Sequence, residues 1–179
     1  RCHLFQLVGG RTELFVKQFY RFGRTHGTRR GGKIARFIPE IKEAAPGLLT
    51  IIAPRHPQRG YEVNSAVKEI SGLSTSLRSA GDEIIPEADV YIADTIGEMG
   101  LWYSLCPLVF IGGSLIPHGG QNFMEPSRMR DAVIVGPHMH NFTDAMNRAK
   151  KADAIIQVND VLELKDTVIN LLKSPELLE

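Results

Sequence analysis

The sequence predicts an α/β fold in which helices flank a Rossmann-like parallel sheet. Short apolar runs with the composition of buried strands recur along the chain. Segments with apolar residues at helical spacing alternate with these runs, and the connections are short. This alternation is typical of a parallel sheet covered by helices. With 179 residues, the chain is long enough to bury a proper hydrophobic core.

The individual elements can be predicted in order from residue 33 onward. The predicted strands are short apolar runs bounded by Gly, Pro or polar residues: 48–53, 73–78, 89–93, 108–111, 132–135 and 154–158. The predicted helices share apolar residues three or four positions apart: 34–45, 61–71, 98–105, 143–150 and 162–172, with one more beginning near Asn122.

The amino-terminal part of the chain differs from the rest in its charge. Residues 1–36 hold nine Lys or Arg and one acid, whereas the remainder holds 12 basic and 19 acidic residues. We therefore separate an atypical basic segment, 1–32, from a Rossmann-like domain, 33–179. Residues 14–22 fit either a helix or a strand, and 24–32 have the composition of a flexible linker. Such a segment suits nucleic acid or anionic lipid, or is a poorly ordered end.

Several classes of protein are disfavoured by composition and motifs. No apolar run approaches the roughly 20 residues that span a bilayer, and no signal peptide is evident, so we expect a soluble chain. Cys2 and Cys106 lie far apart, which favours a reducing compartment without a disulfide framework. The three histidines near the central loop match no zinc pattern, so we predict no metal site: His118, His138 and His140. Ser114 lies outside any nucleophile elbow.

The stretch from Leu108 to Asn141 predicts strand, glycine loop, helix and strand. Gly112-Gly113 end the strand, and Asn122 is a plausible N-cap with Glu125 in the capping-box position. Ligands of parallel sheets bind outside the strand carboxyl ends, where backbone N–H groups suit a phosphate. Glu125 could then accept hydrogen bonds from sugar hydroxyls. The alternative is a tight turn with a capping glutamate, since neither the dinucleotide fingerprint nor the P-loop motif is present.

Polar residues follow three predicted strands, and in a parallel sheet these three ends share one edge. They are Arg55-His56, Thr95 to Glu98, and Gly112 to Glu125. Arg55 suits a phosphate or carboxylate, or else a surface ion pair. His56, between two prolines, fits a ligand contact or a structural hydrogen bond equally. Glu98 either faces this cleft or is a first-turn acid favoured by the helix dipole.

Three ordered motifs resemble the carboxyl-terminal half of the 3-deoxy-D-manno-octulosonic acid (Kdo) transferases, which are inverting GT-B glycosyltransferases. They are PRHPQRG, YIADTIGEMGLWYS and FIGGSLIPHGGQNFMEP with VIVGPHMHNF, and the resemblance covers about residues 33–179. It implies transfer of Kdo from CMP-Kdo to a lipid A precursor, in lipopolysaccharide biosynthesis at the cytoplasmic face of the bacterial inner membrane. It implies peripheral attachment of the parent enzyme to the membrane surface, CMP-Kdo or CMP as ligand, no separate cofactor and no nucleic acid.

The resemblance also implies roles for particular residues. Pro54 and Arg55, beside His56, would hold the cytidine or phosphate side, and Glu125 would bind the ribose hydroxyls. The residues implied to line the nucleotide pocket are Ile96, Gly97, Glu98 and Met99. Gly113, Gly120 and Asn122 are implied to approach the phosphate, and the implied donor-binding set also includes Ser114 and Gln121.

The chain departs from the family pattern at two places. Gln121 replaces a histidine, and Thr28-Arg29-Arg30 replace an acidic pair. In the family the acceptor site and the general base belong to an amino-terminal domain, so we assign no catalytic residue here. We expect donor binding with little or no transfer by this chain. Two alternatives remain open: half of another GT-B enzyme that uses a UDP-sugar, and a non-enzymatic binding module with a basic arm.

Overall fold

Seven parallel strands form one sheet in the part of the chain that the structure describes. The structure is a computed structural model and describes residues 13–17, 35–85 and 87–174. The strands are Glu13–Lys17 (β1), Leu49–Ala53 (β2), Thr75–Leu77 (β3), Val90–Ile92 (β4), Leu108–Ile111 (β5), Ala132–Val135 (β6) and Ile156–Gln157 (β7). Their order is β3-β4-β2-β1-β5-β6-β7, and all neighbours are parallel. The predicted α/β fold class is confirmed.

The central strand comes from the basic segment that the sequence sets apart. Glu13–Lys17 pairs with β2 on one side and with β5 on the other. The sequence left 14–22 open between a helix and a strand, and the structure assigns its first residues to a strand. These residues of the basic segment therefore belong to the same sheet as the domain at 33–179. The predicted linker at 24–32 lies outside the described residues.

The predicted strands are present, and both edge strands are shorter than predicted, as is the interior strand β4, which covers Val90–Ile92 of the predicted 89–93. β2 and β5 are interior strands and are buried along their whole length. At the two sheet edges, β3 covers only Thr75–Leu77 of the predicted 73–78, and β7 only Ile156–Gln157 of 154–158. An edge strand pairs on one side only, so fewer of its residues are drawn into the hydrogen-bonded ladder.

Six α-helices among the described residues connect these strands. They are Ile38–Ala44 (α1), Gly60–Ser71 (α2), Met99–Leu105 (α3), Met124–Arg128 (α4), Thr143–Lys151 (α5) and Val161–Lys173 (α6). α2 ends because Gly72 takes a left-handed φ of 67° and its N–H bonds the Lys68 carbonyl. α6 begins at Asp160, whose carboxylate accepts the N–H groups of Leu162 and Glu163. None of the described helices has the length and apolar character needed to cross a bilayer.

The helices cover both faces of the sheet with separate apolar cores. Alternate strand residues point to opposite faces, so β5 gives Leu108 and Phe110 to one core and Val109 and Ile111 to the other. The first core receives residues from the helices α1, α2 and α6, and the second receives residues from α3 and α5. With both faces covered, the strand ends are where a ligand can approach the sheet.

Candidate functional site

The carboxyl ends of the strands form the edge on which the predicted site residues meet. β2, β4 and β5 are parallel members of one sheet, so the predicted common edge of their three loops is confirmed. The strands β2, β3 and β4 lie on one side of β1, and β5, β6 and β7 lie on the other. The chain crosses from the first side to the second through α3, which connects β4 to β5. The direction in which strands are added to the sheet therefore reverses between β1 and β5. A crevice outside such a reversal is the usual ligand site of an open parallel sheet.

The loop that follows β5 lies directly at this reversal. Gly113, Gly119 and Gly120 all have φ between 70° and 93°, in the left-handed region that favours glycine. The Gly120 N–H bonds the Gly113 carbonyl at 3.3 Å, which closes the loop. A Cβ on Gly120 would overlap the Met139 sulfur, and one on Gly119 would overlap the Asn141 side chain. Gly119 and Gly120 therefore allow this loop to pack closely against residues 138–141. Gln121, half-buried, follows it.

Ser114 fixes the shape of this loop from beneath. Its fully buried hydroxyl donates to the Ile111 carbonyl at 2.5 Å and accepts the Gly136 N–H at 2.8 Å. Its carbonyl also accepts the His138 N–H at 2.9 Å. A Cβ on Gly136 would overlap the Ser114 backbone, so the loops after β5 and β6 are in direct contact. The Ser114 side chain therefore joins two loops, whereas the sequence assigned it to the donor-binding set.

The helix after the glycine loop begins one residue later than the capping-box prediction requires. α4 starts at Met124 and its N-cap position is Phe123, one residue after the predicted N-cap Asn122. Phe123 is only 2% exposed and packs edge-on against Phe142. The Asn122 side chain accepts the Met124 N–H at 3.1 Å, a bond to the second following residue such as an N-cap side chain makes. Glu125 is exposed and has no capping role.

On the other side of β1, the loop after β4 is organised by an ion pair. The Glu98 carboxylate accepts Nη2 of Arg78 at 2.7 Å and Nε at 3.2 Å, and it also accepts the Thr95 hydroxyl. The hydrogen bonds from Arg78 hold the pKa of Glu98 below its ordinary value. The Arg78 guanidinium lies 5.9 Å from the ring centroid of Trp102, a buried residue of α3. Glu98 is therefore a charged, oriented carboxylate.

Arg78 is the residue of this site that the sequence reasoning missed. It begins the 3-10 turn Arg78–Ala80 immediately after β3, so it belongs to a fourth strand end on the same edge. The next residue, Ser79, donates its N–H and its hydroxyl to the buried Asp94 at the end of β4, at 2.8 and 2.6 Å. A polar residue directly after a strand was the available signal. The sequence pattern instead includes Arg78 in the predicted strand 73–78, whereas β3 ends at Leu77.

The remaining predicted residues lie at the same edge with different exposures. Pro54 is buried, whereas Arg55 and His56 are exposed in the turn after β2. Ile96 is 82% exposed, an unusual position for a large apolar side chain, and Gly97 has a left-handed φ of 88°. Met99 is half-buried against the core on the α3 face. The structure thus brings the predicted residues to one edge and leaves several of them open to solvent.

A half-buried carboxyl with a shifted pKa lies at the opposite edge. Asp131 directly precedes β6, and burial raises its pKa to about 7. Burial, followed by the charges of Glu125 and Asp131, also raises the pKa of Tyr103. The described residues contain no group of three His, Cys, Asp or Glu placed to hold a metal ion. The ligand edge is distinguished by the backbone of its glycine loop, by the exposed Arg55 after β2 and by the ion-paired Glu98.

Together, the fold and the site define a class of protein. A parallel sheet between two helical layers, with a glycine loop at the point where the strand order reverses, is a Rossmann-like domain. It has the architecture of one half of a GT-B glycosyltransferase, as the sequence predicted.

Comparisons with known proteins narrow this class. No family model matches the chain. A 3-deoxy-D-manno-octulosonic acid transferase from Bordetella pertussis is 38% identical over 153 residues, which are 82% of this chain and 36% of that protein. A probable mitochondrial enzyme of the same name from Arabidopsis thaliana is 37% identical over 143 residues, 78% of this chain and 32% of that protein. This chain thus spans about a third of the length of these relatives.

A solved structure agrees with these relatives. The carboxyl-terminal CMP-Kdo binding domain of WaaA from Acinetobacter baumannii superimposes with a TM-score of 0.86 and 29% identity. The match covers 98% of this chain and 88% of that domain. The amino-terminal domain of a Candida albicans trehalose-6-phosphate phosphatase, with a TM-score of 0.53 and 15% identity, shares the fold only. The chain belongs to the Kdo transferase family and corresponds to its carboxyl-terminal domain.

Proposed function

We propose that this chain binds CMP-Kdo and forms the donor-binding half of a glycosyltransferase. The reaction we propose is transfer of Kdo to a lipid A precursor in lipopolysaccharide biosynthesis. The observation that carries the proposal is the glycine loop at the reversal of strand order, with Arg55 and Glu98 on the same edge. The likeness to a domain described as CMP-Kdo binding supports the choice of donor.

The glycine loop and Arg55 suit the phosphate of such a donor. β2 and β5 are separated only by β1, and neighbouring strands lie about 4.8 Å apart, so the carboxyl ends of these two strands are about 10 Å apart. A nucleoside monophosphate can bridge this distance. Because α4 has only five residues, its dipole is weak, and we assign the phosphate to the loop backbone rather than to the helix. Glu125, exposed beyond the loop, would accept the ribose hydroxyls.

The chemistry explains why these groups are needed. In an inverting transfer, an acceptor hydroxyl attacks the anomeric carbon while the bond to the phosphate oxygen breaks, and CMP leaves with the electron pair. Negative charge grows on the departing phosphate, and fixed N–H groups with a guanidinium stabilise it without rearranging. We assign the acceptor site, its membrane contact and the base that takes the hydroxyl proton to the two thirds of the relatives that lie outside the match. We therefore expect little or no transfer by this chain in isolation.

Isothermal titration calorimetry of the chain with CMP, and with UDP as competitor, tests the donor assignment. We expect CMP to bind and UDP to compete poorly. Glu125→Ala should weaken the binding of CMP about tenfold, which corresponds to the loss of one or two hydrogen bonds to a charged group. The matched control is Glu43→Ala, which removes an exposed carboxylate from α1, a helix that leads to the amino end of β2.

Three outcomes would contradict the proposal. Equal binding of UDP would favour a GT-B half that uses a UDP-sugar. Absence of CMP binding would remove the donor assignment. An affinity that Glu125→Ala and Glu43→Ala alter equally would place the ligand away from the glycine loop. A membrane or nucleic-acid module would instead bind anionic vesicles or RNA in a salt-sensitive way that is lost when residues 1–32 are deleted.

A further inference from the structure

Glu98 is held in one orientation by donors from two separate loops. Arg78 comes from the end of β3 and bonds both carboxylate oxygens, and Thr95 comes from the end of β4. Arg78 is in turn placed over the buried ring of Trp102. A guanidinium that donates hydrogen bonds to both carboxylate oxygens fixes the plane of the carboxylate, which a single hydrogen bond would not do. The direction of any remaining acceptor position on Glu98 is therefore also fixed.

The hydrogen bonds leave one such position open. Each carboxylate oxygen has two acceptor positions. Oε2 uses both, for Arg78 Nε and the Thr95 hydroxyl, whereas Oε1 uses one, for Arg78 Nη2, among the described residues. The Glu98 side chain is 26% exposed and lies at the ligand edge, next to the exposed Ile96. The site thus offers one fixed, negatively charged acceptor beside an apolar surface.

This combination suits a pyrimidine base that carries an amino group. Cytosine presents an N4 amino donor where uracil presents an O4 acceptor, and a carboxylate accepts from the amino group. Opposite uracil, the same carboxylate would face a second acceptor and lose its hydrogen bond. The exposed Ile96 can cover one face of the base. We infer that Glu98 selects cytosine over uracil in the donor, with Arg78 as the positioning residue that fixes its carboxylate. The inference rests on the proposed function.

The test compares CMP with UMP, which differ at the base, by calorimetric titration of each variant. We expect the wild-type chain to favour CMP by about tenfold to hundredfold, the range of one hydrogen bond to a charged group. Glu98→Gln should lower this CMP-to-UMP ratio at least tenfold, because it removes the charge and one acceptor. Arg78→Lys keeps the positive charge but lacks the planar pair of donors that bonds both carboxylate oxygens. This variant should therefore lower the CMP-to-UMP ratio by an intermediate factor.

Glu62→Gln is the matched control. Glu62 is also held at both oxygens by one arginine, Arg59, at 2.8 and 2.9 Å. Arg59 directly precedes α2 and Glu62 lies in its first turn, where its side chain is 45% exposed and is not bonded to Arg78 or Glu98. Loss of this pair should therefore leave the CMP-to-UMP ratio unchanged. If Glu98 had a purely structural role, its substitution would weaken the binding of CMP and of UMP by the same factor. The CMP-to-UMP affinity ratio therefore separates an effect on specificity from an effect on stability. Circular dichroism of each variant checks folding, and Arg78→Lys carries the test if Glu98→Gln does not fold.

The outcomes separate this inference from the proposed function. A wild-type chain that binds CMP, with a ratio that neither Glu98→Gln nor Arg78→Lys alters, overturns the role of Glu98 and leaves the donor site standing. Equal binding of CMP and UMP by the wild-type chain would likewise overturn the role of Glu98 and leave the donor site standing. A wild-type chain that does not bind CMP overturns the proposed function and this inference together.

Discussion

The ligand edge has two sides, separated by β1, whose shapes depend on different interactions. We call the loop after β5 the glycine side and the loops after β3 and β4 the charged side. On the β5 side, the shape comes from backbone: left-handed glycines, and the buried hydroxyl of Ser114 that receives the Gly136 N–H. On the β4 side, the shape comes from charged side chains, with Arg78 holding Glu98 across 20 positions of the sequence. The loop after β5 therefore offers mainly backbone groups to a ligand, whereas the loop after β4 offers a carboxylate held by an ion pair.

This difference predicts that the two sides respond differently to added side-chain volume, to pH and to salt. A loop shaped by close backbone contact cannot tolerate added volume, because neighbouring main chain cannot move aside as a flexible side chain can. An ion pair at a partly exposed position tolerates volume but depends on pH and salt. Substitutions matched in size can therefore separate the two sides, and the glycine side should show the larger losses of stability.

Gly136→Ala should have the largest effect. The new Cβ would overlap the carbonyl carbon and oxygen of Ser114 and the nitrogen of Leu115, all of them backbone atoms. We expect a loss of about 3 kcal/mol in the free energy of unfolding, at the upper end of overpacking costs. Urea denaturation measures it. The control is Gly100→Ala in α3, where a Cβ meets nothing within 4 Å and alanine favours the helix. Equal losses in the two variants would contradict the contact.

Ser114→Ala should follow, with a loss of about 2 kcal/mol. The substitution leaves the buried Gly136 N–H without its acceptor, and an unsatisfied buried group costs about 1–3 kcal/mol. Ser104→Ala is the control, because that hydroxyl is exposed and donates only to a carbonyl of its own helix. Its effect should stay within about 0.5 kcal/mol. A neutral Ser114→Ala in the same urea titrations would show that another group satisfies Gly136.

The glycine side of the site was largely predictable because its signals are local. An apolar run followed by Gly112-Gly113 marks a strand end without any knowledge of the partner strands. The start of α4 lies one residue later than predicted, although the Asn122 side chain accepts the Met124 N–H. The buried ring of Phe123 packs against Phe142, nineteen residues later, and the local sequence does not reveal this tertiary contact.

The charged side was only half predictable. The sequence identified Glu98 by its place after a strand, but nothing local connects it to Arg78. That pairing exists because β3 and β4 are neighbours in the sheet, which the order along the chain does not reveal. The same applies to β1, whose residues looked atypical in composition and whose central position depends on pairing with β2 and β5. Sheet order is the information that single-sequence reasoning lacked.

Glu98→Gln should cost about 1 kcal/mol at pH 7, less than either glycine-side variant. Because Arg78 lowers the pKa of Glu98 from its ordinary value of 4.5, the ion pair stabilises the folded state above that pH. The contribution is lost as the pH falls through the folded-state pKa. Urea denaturation from pH 7 to pH 3 should therefore show wild type and Glu98→Gln converging. The cost of Gly136→Ala should stay constant over the same range, and parallel pH profiles for the two variants would contradict the comparison.

The smallest effect should come from Glu62→Gln, which separates the geometry of an ion pair from its place in the fold. Arg59 and Glu62 form the same two-bond contact as Arg78 and Glu98, but they lie three residues apart and Glu62 is 45% exposed. Their geometry is set within one helical turn, and solvent screens them, so we expect a loss below about 0.5 kcal/mol that 1 M salt removes. Urea denaturation at low and high salt measures it. If Glu62→Gln costs as much as Glu98→Gln, then the long-range anchoring by β3 and Trp102 adds nothing, and Arg78 is an ordinary surface partner.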